Sequence, residues 1–393
     1  MQLEFSSTSD VIRQRLTGGI GVKWNSYAPD IVPMWIADMD FGIASNVEDH
    51  LIDMIQNDTL GYNNQNLADR LLEAFILRYQ EFFSCQLDPA KTVLATDVVQ
   101  AIYLSIATMT AKGDKIVIQN PIYPPFMAAV TDLGREIAFN TMKSNPTGYQ
   151  IDFGDLEDKM SDPRTTMMLL CNPHNPTGRV FTTLELATIA QLAAKYGVTV
   201  ISDEIHSEIT YDANAHIPFA NVASSYGCNF VITTSASKTF NLAGLRCAVA
   251  AFSDDEVLKR YNSIPYHMRG AVSSLGMAGT YFAWTYGNDW KSRVLSVLGD
   301  NRRLLKEKLE PINELVSFFE PEGTYLAWLD FTNLKLEQDL TEWLLKDAHL
   351  ALIPGPAFGP NGDNFARLNF GTTTSNLEFA LDGLVTAVRK TLA

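Results

Sequence analysis

Lys238 stands in the run Thr234-Ser235-Ala236-Ser237-Lys238-Thr239-Phe240-Asn241, directly after the strand-like Phe230-Val231-Ile232-Thr233, with Arg246 a little further on. An amine among small hydroxyl side chains at a strand end can form a Schiff base with an aldehyde. The hydroxyls can donate to a phosphate, and a guanidinium can fork onto two of its oxygens. For this segment alone, a surface loop with a solvated lysine is the more economical description.

Four further motifs bear on the choice. Asp203 ends a strand-like run in Ser202-Asp203-Glu204-Ile205-His206. A carboxylate there can keep a pyridine nitrogen protonated, making the ring an electron sink for a carbanion at Cα; it could also cap a following helix. Asn172-Pro173-His174-Asn175-Pro176-Thr177-Gly178 is a stiff turn able to hold the Asn175 amide against a phenolate-like oxygen. Tyr123, in Asn120-Pro121-Ile122-Tyr123-Pro124-Pro125, can stack on a ring or belong to a satellite core. Arg367, in Phe365-Ala366-Arg367-Leu368-Asn369, is a charge in apolar company. It needs a partner, either a substrate carboxylate or an internal acid. Together the five motifs describe a site for pyridoxal 5'-phosphate (PLP).

The elements that must position these residues are legible from periodicity. Lys115-Ile116-Val117-Ile118, Met167-Met168-Leu169-Leu170-Cys171 and Val198-Thr199-Val200-Ile201-Ser202 are continuous apolar runs, as expected of parallel strands buried on both faces. Between the second and third, Thr182 and Glu185 form a capping-box pattern. Leu186, Ile189, Ala190 and Ala193 share a helical face, and Gly197 suits the C-terminal cap. Strand, helix, strand implies right-handed crossovers and an open α/β sheet, whose ligands bind beyond the carboxyl ends of the strands. The polar motifs fall at those ends. From about residue 285 a long helical stretch, Trp290 towards Lys308, precedes strand-like Thr324–Leu329 and Phe365–Phe370, which read as a smaller α+β domain.

Composition narrows the class. The chain of 393 residues is 46% hydrophobic and 19% charged, with a net charge of -15, which argues against nucleic acid and anionic membrane surfaces. Met1–Ser7 lack the pattern of a signal peptide, and no apolar run is long enough to span a bilayer. Cys85, Cys171, Cys228 and Cys247 form neither a C-x-x-C pair nor a disulfide framework, and the histidines make no ligand set, so a reducing cytoplasm and no metal are expected. A dehydrogenase finds no support, because Gly19-Ile20-Gly21 lacks the third glycine and the strand–helix setting.

The order of the motifs, over essentially the whole chain, resembles the fold-type-I PLP-dependent enzymes, the class I/II aminotransferase superfamily. That resemblance implies a large domain with a mostly parallel seven-stranded sheet and a smaller α+β domain. Residues 46–284 would form the large PLP-binding domain and 285–393 the small one, to which the N-terminal segment 1–45 contributes. Lys238 would carry the cofactor and Asp203 would partner the pyridine nitrogen. Asn175 and His206 would lie near the ring oxygen and Tyr123 against the ring. Ser235, Ser237, Arg246 and the backbone N–H groups of Val98 and Val99 would hold the phosphate. Arg367, with Asn175 and Ala37, would meet the substrate. Tyr62, in Gly61-Tyr62-Asn63, matches a tyrosine that reaches the phosphate of a neighbouring subunit, so a homodimer with shared sites is implied.

Within the superfamily the chain is most similar to the cystathionine β-lyase (C–S β-lyase) branch. The similarity rests on Pro33-Met34-Trp35-Ile36-Ala37-Asp38-Met39-Asp40-Phe41, on His206 where aminotransferases carry Tyr, on Lys238–Leu245 and on Gly323-Thr324-Tyr325-Leu326-Ala327-Trp328-Leu329-Asp330. It implies α,β-elimination from a cysteine S-conjugate such as cystathionine to thiol, pyruvate and ammonia. An aminotransferase is the alternative, and a PLP-binding regulatory protein with incidental lyase activity a third reading. Two departures stand out. Asp97 occupies a position where the branch usually has Gly, with Gln100 where Pro is frequent, and Arg246 follows the wider aminotransferase pattern. Asp97 is expected to cap the helix facing away from the phosphate, with Arg246 offsetting its charge.

Overall fold

The computed structural model describes residues 16–62 and 65–392; Met1–Ser7 and Asn63, used above, lie outside the described residues. The chain divides into two compact units. Of the described residues, the larger holds those within Ile43–Asn175 and Arg179–Lys291, and the other holds 16–42, Pro176–Gly178 and 292–392.

The larger unit is built on seven strands: β1 (Thr92–Ala95), β2 (Lys115–Asn120), β3 (Glu136–Thr141), β4 (Thr165–Cys171), β5 (Thr199–Asp203), β6 (Phe230–Thr234) and β7 (Ala248–Phe252). Their spatial order is β1-β7-β6-β5-β4-β2-β3. Only β7 runs against its neighbours. The apolar runs are buried on both faces, as the periodicity predicts: Val117, Met168, Val200 and Val231 are each fully buried. The crossover helix Thr183–Tyr196, between β4 and β5, behaves as its ends dictate. Thr182 Oγ1 accepts from Glu185 N–H, Glu185 reaches back to Thr182 N–H, and Gly197 closes it at φ 69°. Because β1, β2, β4, β5 and β6 are co-directional, their carboxyl ends at Ala95, Asn120, Cys171, Asp203 and Thr234 all open on one edge.

The other unit carries a four-stranded antiparallel sheet of β8 (Ser317–Phe318), β9 (Leu326–Asp330), β10 (Ile353–Pro354) and β11 (Phe365–Asn369), in the order β8-β9-β11-β10. Val32–Pro33 pairs in parallel with Leu350–Ala351, tying the early chain into this unit. Trp328 stacks on Phe365 with centroids 5.3 Å apart, and Phe358 packs edge-on against the same indole. The helical stretch expected from Trp290 is the helix Asn288–Leu309. Among the described residues no helix is long and apolar enough to cross a membrane. The four cysteines are free and buried.

Candidate active site

Asp203 is the last residue of β5, in register between Cys171 of β4 and Thr233 of β6, and is only 5% exposed. No helix follows it directly, so the helix-cap alternative does not apply; the chain turns, and Ile205 N–H donates to Oδ1 at 3.0 Å. Burial pushes this carboxyl up to about 7, the Ile205 bond and the Lys238 ammonium pull it down, and the neighbouring Glu204 charge pushes it up. A carboxyl in that condition is a partner for a positively charged N–H. The site therefore fits the pyridine nitrogen of PLP on the chemistry of its own floor.

Lys238 lies in the four-residue helical turn Ala236–Thr239 that follows β6. Ser235 caps this turn, its Oγ accepting from Ser237 N–H at 3.1 Å and donating to the Cys247 carbonyl at 2.6 Å. The expected role of Ser235 at a phosphate is compatible with this turn, since its hydroxyl sits at the same turn that carries Ser237 and Lys238. Ser237 is half-buried on the same turn.

The helix Val98–Met109 begins just beyond β1. Asp97 is its N-cap, accepting from Gln100 N–H at 2.8 Å, so the carboxylate is spent on the helix end. It also forms an ion pair with Arg246, as expected from the charges. Val98 and Val99 are the first helical residues, and their N–H groups precede any intrahelical acceptor, the usual setting for a phosphate. Gln100 ties this end to its surroundings, accepting from Thr96 N–H at 2.9 Å and donating to the Arg269 carbonyl at 2.6 Å.

Asn172 anchors the asparagine turn: its N–H donates to the Asp203 carbonyl at 3.0 Å, and its Oδ1 accepts from Phe181 N–H at 3.0 Å. Asn175 and His206 are buried. Tyr123 immediately precedes the helix Pro124–Asp132, half-buried, with its ring 6.3 Å from Phe126 in a T-shaped contact. It thus borders the core while remaining partly open. Tyr62 is fully exposed and, with Tyr266, Val272 and Met277, lines a cleft of about 470 Å³ beside β1.

Arg367 and Ala37 belong to the other unit. Arg367 is buried on β11, opposite Trp328, with its guanidinium carbon 5.2 Å from the Phe358 ring centre. One terminal nitrogen donates to the Trp35 carbonyl at 2.8 Å. Ala37 is buried two residues beyond Trp35, and its carbonyl accepts from Tyr325 OH at 2.9 Å.

Two buried carboxylates lie within the quoted motifs without having been given a role there. Glu204, adjacent to Asp203, is fully buried and accepts from Ser202 Oγ, Phe219 N–H and Tyr79 OH, with His216 Nε2 3.1 Å away. Lys23 and Trp24 both bind the buried Asp40 carboxylate, at 2.9 and 2.7 Å. Asn369 is detectable in principle, since it shares a strand face with Arg367 by the period of two.

Comparison with known proteins identifies the family. Residues 36–384 match the family model described as aminotransferase class I and II. Cystathionine beta-lyase PatB of Bacillus subtilis (strain 168) is 31% identical over 379 residues, covering 95% of this chain and 97% of that protein. Protein MalY of Escherichia coli (strain K12) is 30% identical, with 92% of each chain covered. Among solved structures, a PLP-bound C–S lyase from Staphylococcus hominis is 27% identical and superposes with a TM-score of 0.91 over 100% of both chains. With a lysine turn, a buried strand-end aspartate and a match spanning most of its length, this chain belongs to the class I and II aminotransferase family.

Proposed function

We propose that this protein is a PLP-dependent C–S β-lyase acting on cystathionine or a related cysteine S-conjugate. The conjugate and one water are converted to thiol, pyruvate and ammonia. The observation that carries the reading is the buried Asp203 carboxyl beside Lys238, in a chain similar end to end to proteins named cystathionine β-lyase. Bound PLP supplies an electron sink for the pair left at Cα. The Lys238 amine takes the Cα proton, and the C–S bond then breaks with the sulfur leaving as thiolate. Asp203 would hold the ring nitrogen in its protonated form, Asn175 and His206 would hold the ring oxygen, and Tyr123 would pack on the ring. Val98 and Val99 N–H, Ser235, Ser237 and Arg246 would hold the phosphate, with Ser235 also capping the turn that presents Ser237 and Lys238. Arg367, with Ala37 and Asn175, takes the substrate carboxylate. A second copy would complete the phosphate site with Tyr62, whose exposed ring and cleft favour a homodimer. The acidic chain with reduced cysteines would work in the cytoplasm.

Incubation with L-cystathionine in the absence of any keto acid tests the reading. Pyruvate and homocysteine should accumulate in equal amounts over many turnovers. The aminotransferase reading draws on Arg246 and the family; it requires that product form only when an amino acceptor is added.

A further inference from the structure

Four successive backbone carbonyls in the segment before Met39 each accept from a side chain distant in sequence. Arg367 Nη2 donates to Trp35 O at 2.8 Å, and Asn369 Nδ2 to Ile36 O at 2.6 Å. Tyr325 OH donates to Ala37 O at 2.9 Å. Asp38 O receives both Asn369 Nδ2 at 2.8 Å and Lys23 Nζ at 2.9 Å. Asn369 Oδ1 in turn accepts from Gly371 N–H at 2.7 Å, which fixes the orientation of that amide. At Gly371 an added Cβ would come within 2.9 Å of Met39, 3.0 Å of Asn369 and 3.2 Å of Tyr325. Thr324, which aims Tyr325, is held at φ 68°, a costly conformation for a β-branched residue, with its Oγ1 accepting from Leu326 N–H at 3.1 Å.

We infer that Tyr325 and Asn369 are positioning residues for the substrate carboxylate: they clamp the backbone of Ile36–Asp38, and through Trp35 O that backbone sets the direction of the Arg367 fork. The reading of Arg367 as the carboxylate's partner is the premise. A bidentate guanidinium–carboxylate pair is sensitive to orientation. With one nitrogen of the fork anchored on a carbonyl, any drift of residues 35–38 turns the whole group.

The test is Tyr325→Phe in the PLP-loaded protein, titrated with L-alanine, which has no leaving group on Cβ, while the cofactor absorbance is followed. L-Alaninamide, lacking the carboxylate, serves as the paired probe. The dissociation constant for L-alanine should rise about five- to tenfold, as for loss of one buried hydrogen bond. L-Alaninamide affinity should stay close to wild type, the unfolding midpoint should fall modestly because the buried Ala37 carbonyl loses its Tyr325 donor, and KM for L-cystathionine should rise with kcat little changed. Gly371→Ala, which crowds the same three side chains, should act in the same direction. Unchanged L-alanine affinity in both variants, or an equal loss for L-alaninamide, overturns the inference. The titration needs no elimination, so a protein that transaminates would still decide it. If Arg367→Ala left L-alanine affinity intact, the premise and not the clamp would have failed.

Discussion

Two buried acids of the larger unit, Glu208 and Asp203, meet their electrostatic needs in opposite ways. Glu208 receives both Nε and Nη2 of Arg78, at 2.7 and 2.5 Å, and Lys291 Nζ at 2.7 Å. Arg78 also donates to the Trp284 carbonyl, and Lys291 sits 3.8 Å above the Phe82 ring. Burial would push Glu208 up, but Arg78 and Lys291 hold it below its ordinary value. Asp203, among the described residues, has a single backbone donor and stands at about 7. The chain completes its own charge balance at Glu208, whereas at Asp203 the single backbone donor and the Lys238 charge do not offset burial. Under the proposed function that difference separates a group that meets a ligand from a cluster that holds the fold.

The comparison can be broken most forcefully at the chemistry. Lys238→Ala should lower kcat for elimination by about 10⁴-fold or more, with little change in unfolding midpoint, since the turn is capped by Ser235 and not by the lysine. Next, Glu208→Gln should destabilise the fold by about 3–5 kcal/mol in urea unfolding, because two cations lose their carboxylate, while KM for cystathionine remains near wild type. Asp203→Asn should do the reverse, losing about 10²-fold or more in kcat while leaving the cofactor-free protein as stable or more stable at pH 8.

Protonation sharpens the same contrast. Asp203 in the folded, cofactor-free protein titrates at about 7, against an unfolded value near 4. Between those values the folded state keeps a proton that the unfolded chain has lost, so stability falls as pH rises from about 4 to 7 and levels off above. Asp203→Asn should flatten that slope when urea midpoints are compared at pH 5 and pH 8; an unaltered slope would place its origin elsewhere. The smallest expected effect lies at the phosphate end. Arg246 is largely exposed where it pairs with Asp97. Asp97→Asn should tighten PLP binding, and Arg246→Ala loosen it, each by no more than about fivefold as measured by cofactor fluorescence.

Much of this is legible in the sequence because it is local. The apolar runs, the Thr182–Glu185 box and Gly197 specify strands and a helix within a few residues, and the sheet they form brings the motif ends to one edge. Lys238, Asp203 and Asn175 are at strand ends for that reason. What stays hidden is pairing across the chain. Tyr325 reaches Ala37, Asn369 reaches Ile36, and Arg78 reaches Glu208, and no periodicity records such partners. Ser235 shows a further limit: its position follows from the motif, but its contact with the Cys247 carbonyl does not.

The proposed chemistry depends throughout on one amine carrying the cofactor. Borohydride treatment of the PLP-loaded protein, followed by peptide mass mapping, examines this directly. The reduced cofactor's mass is expected on the peptide containing Lys238 and should vanish in Lys238→Ala. A label on another lysine, or no stable label with PLP bound, would contradict it.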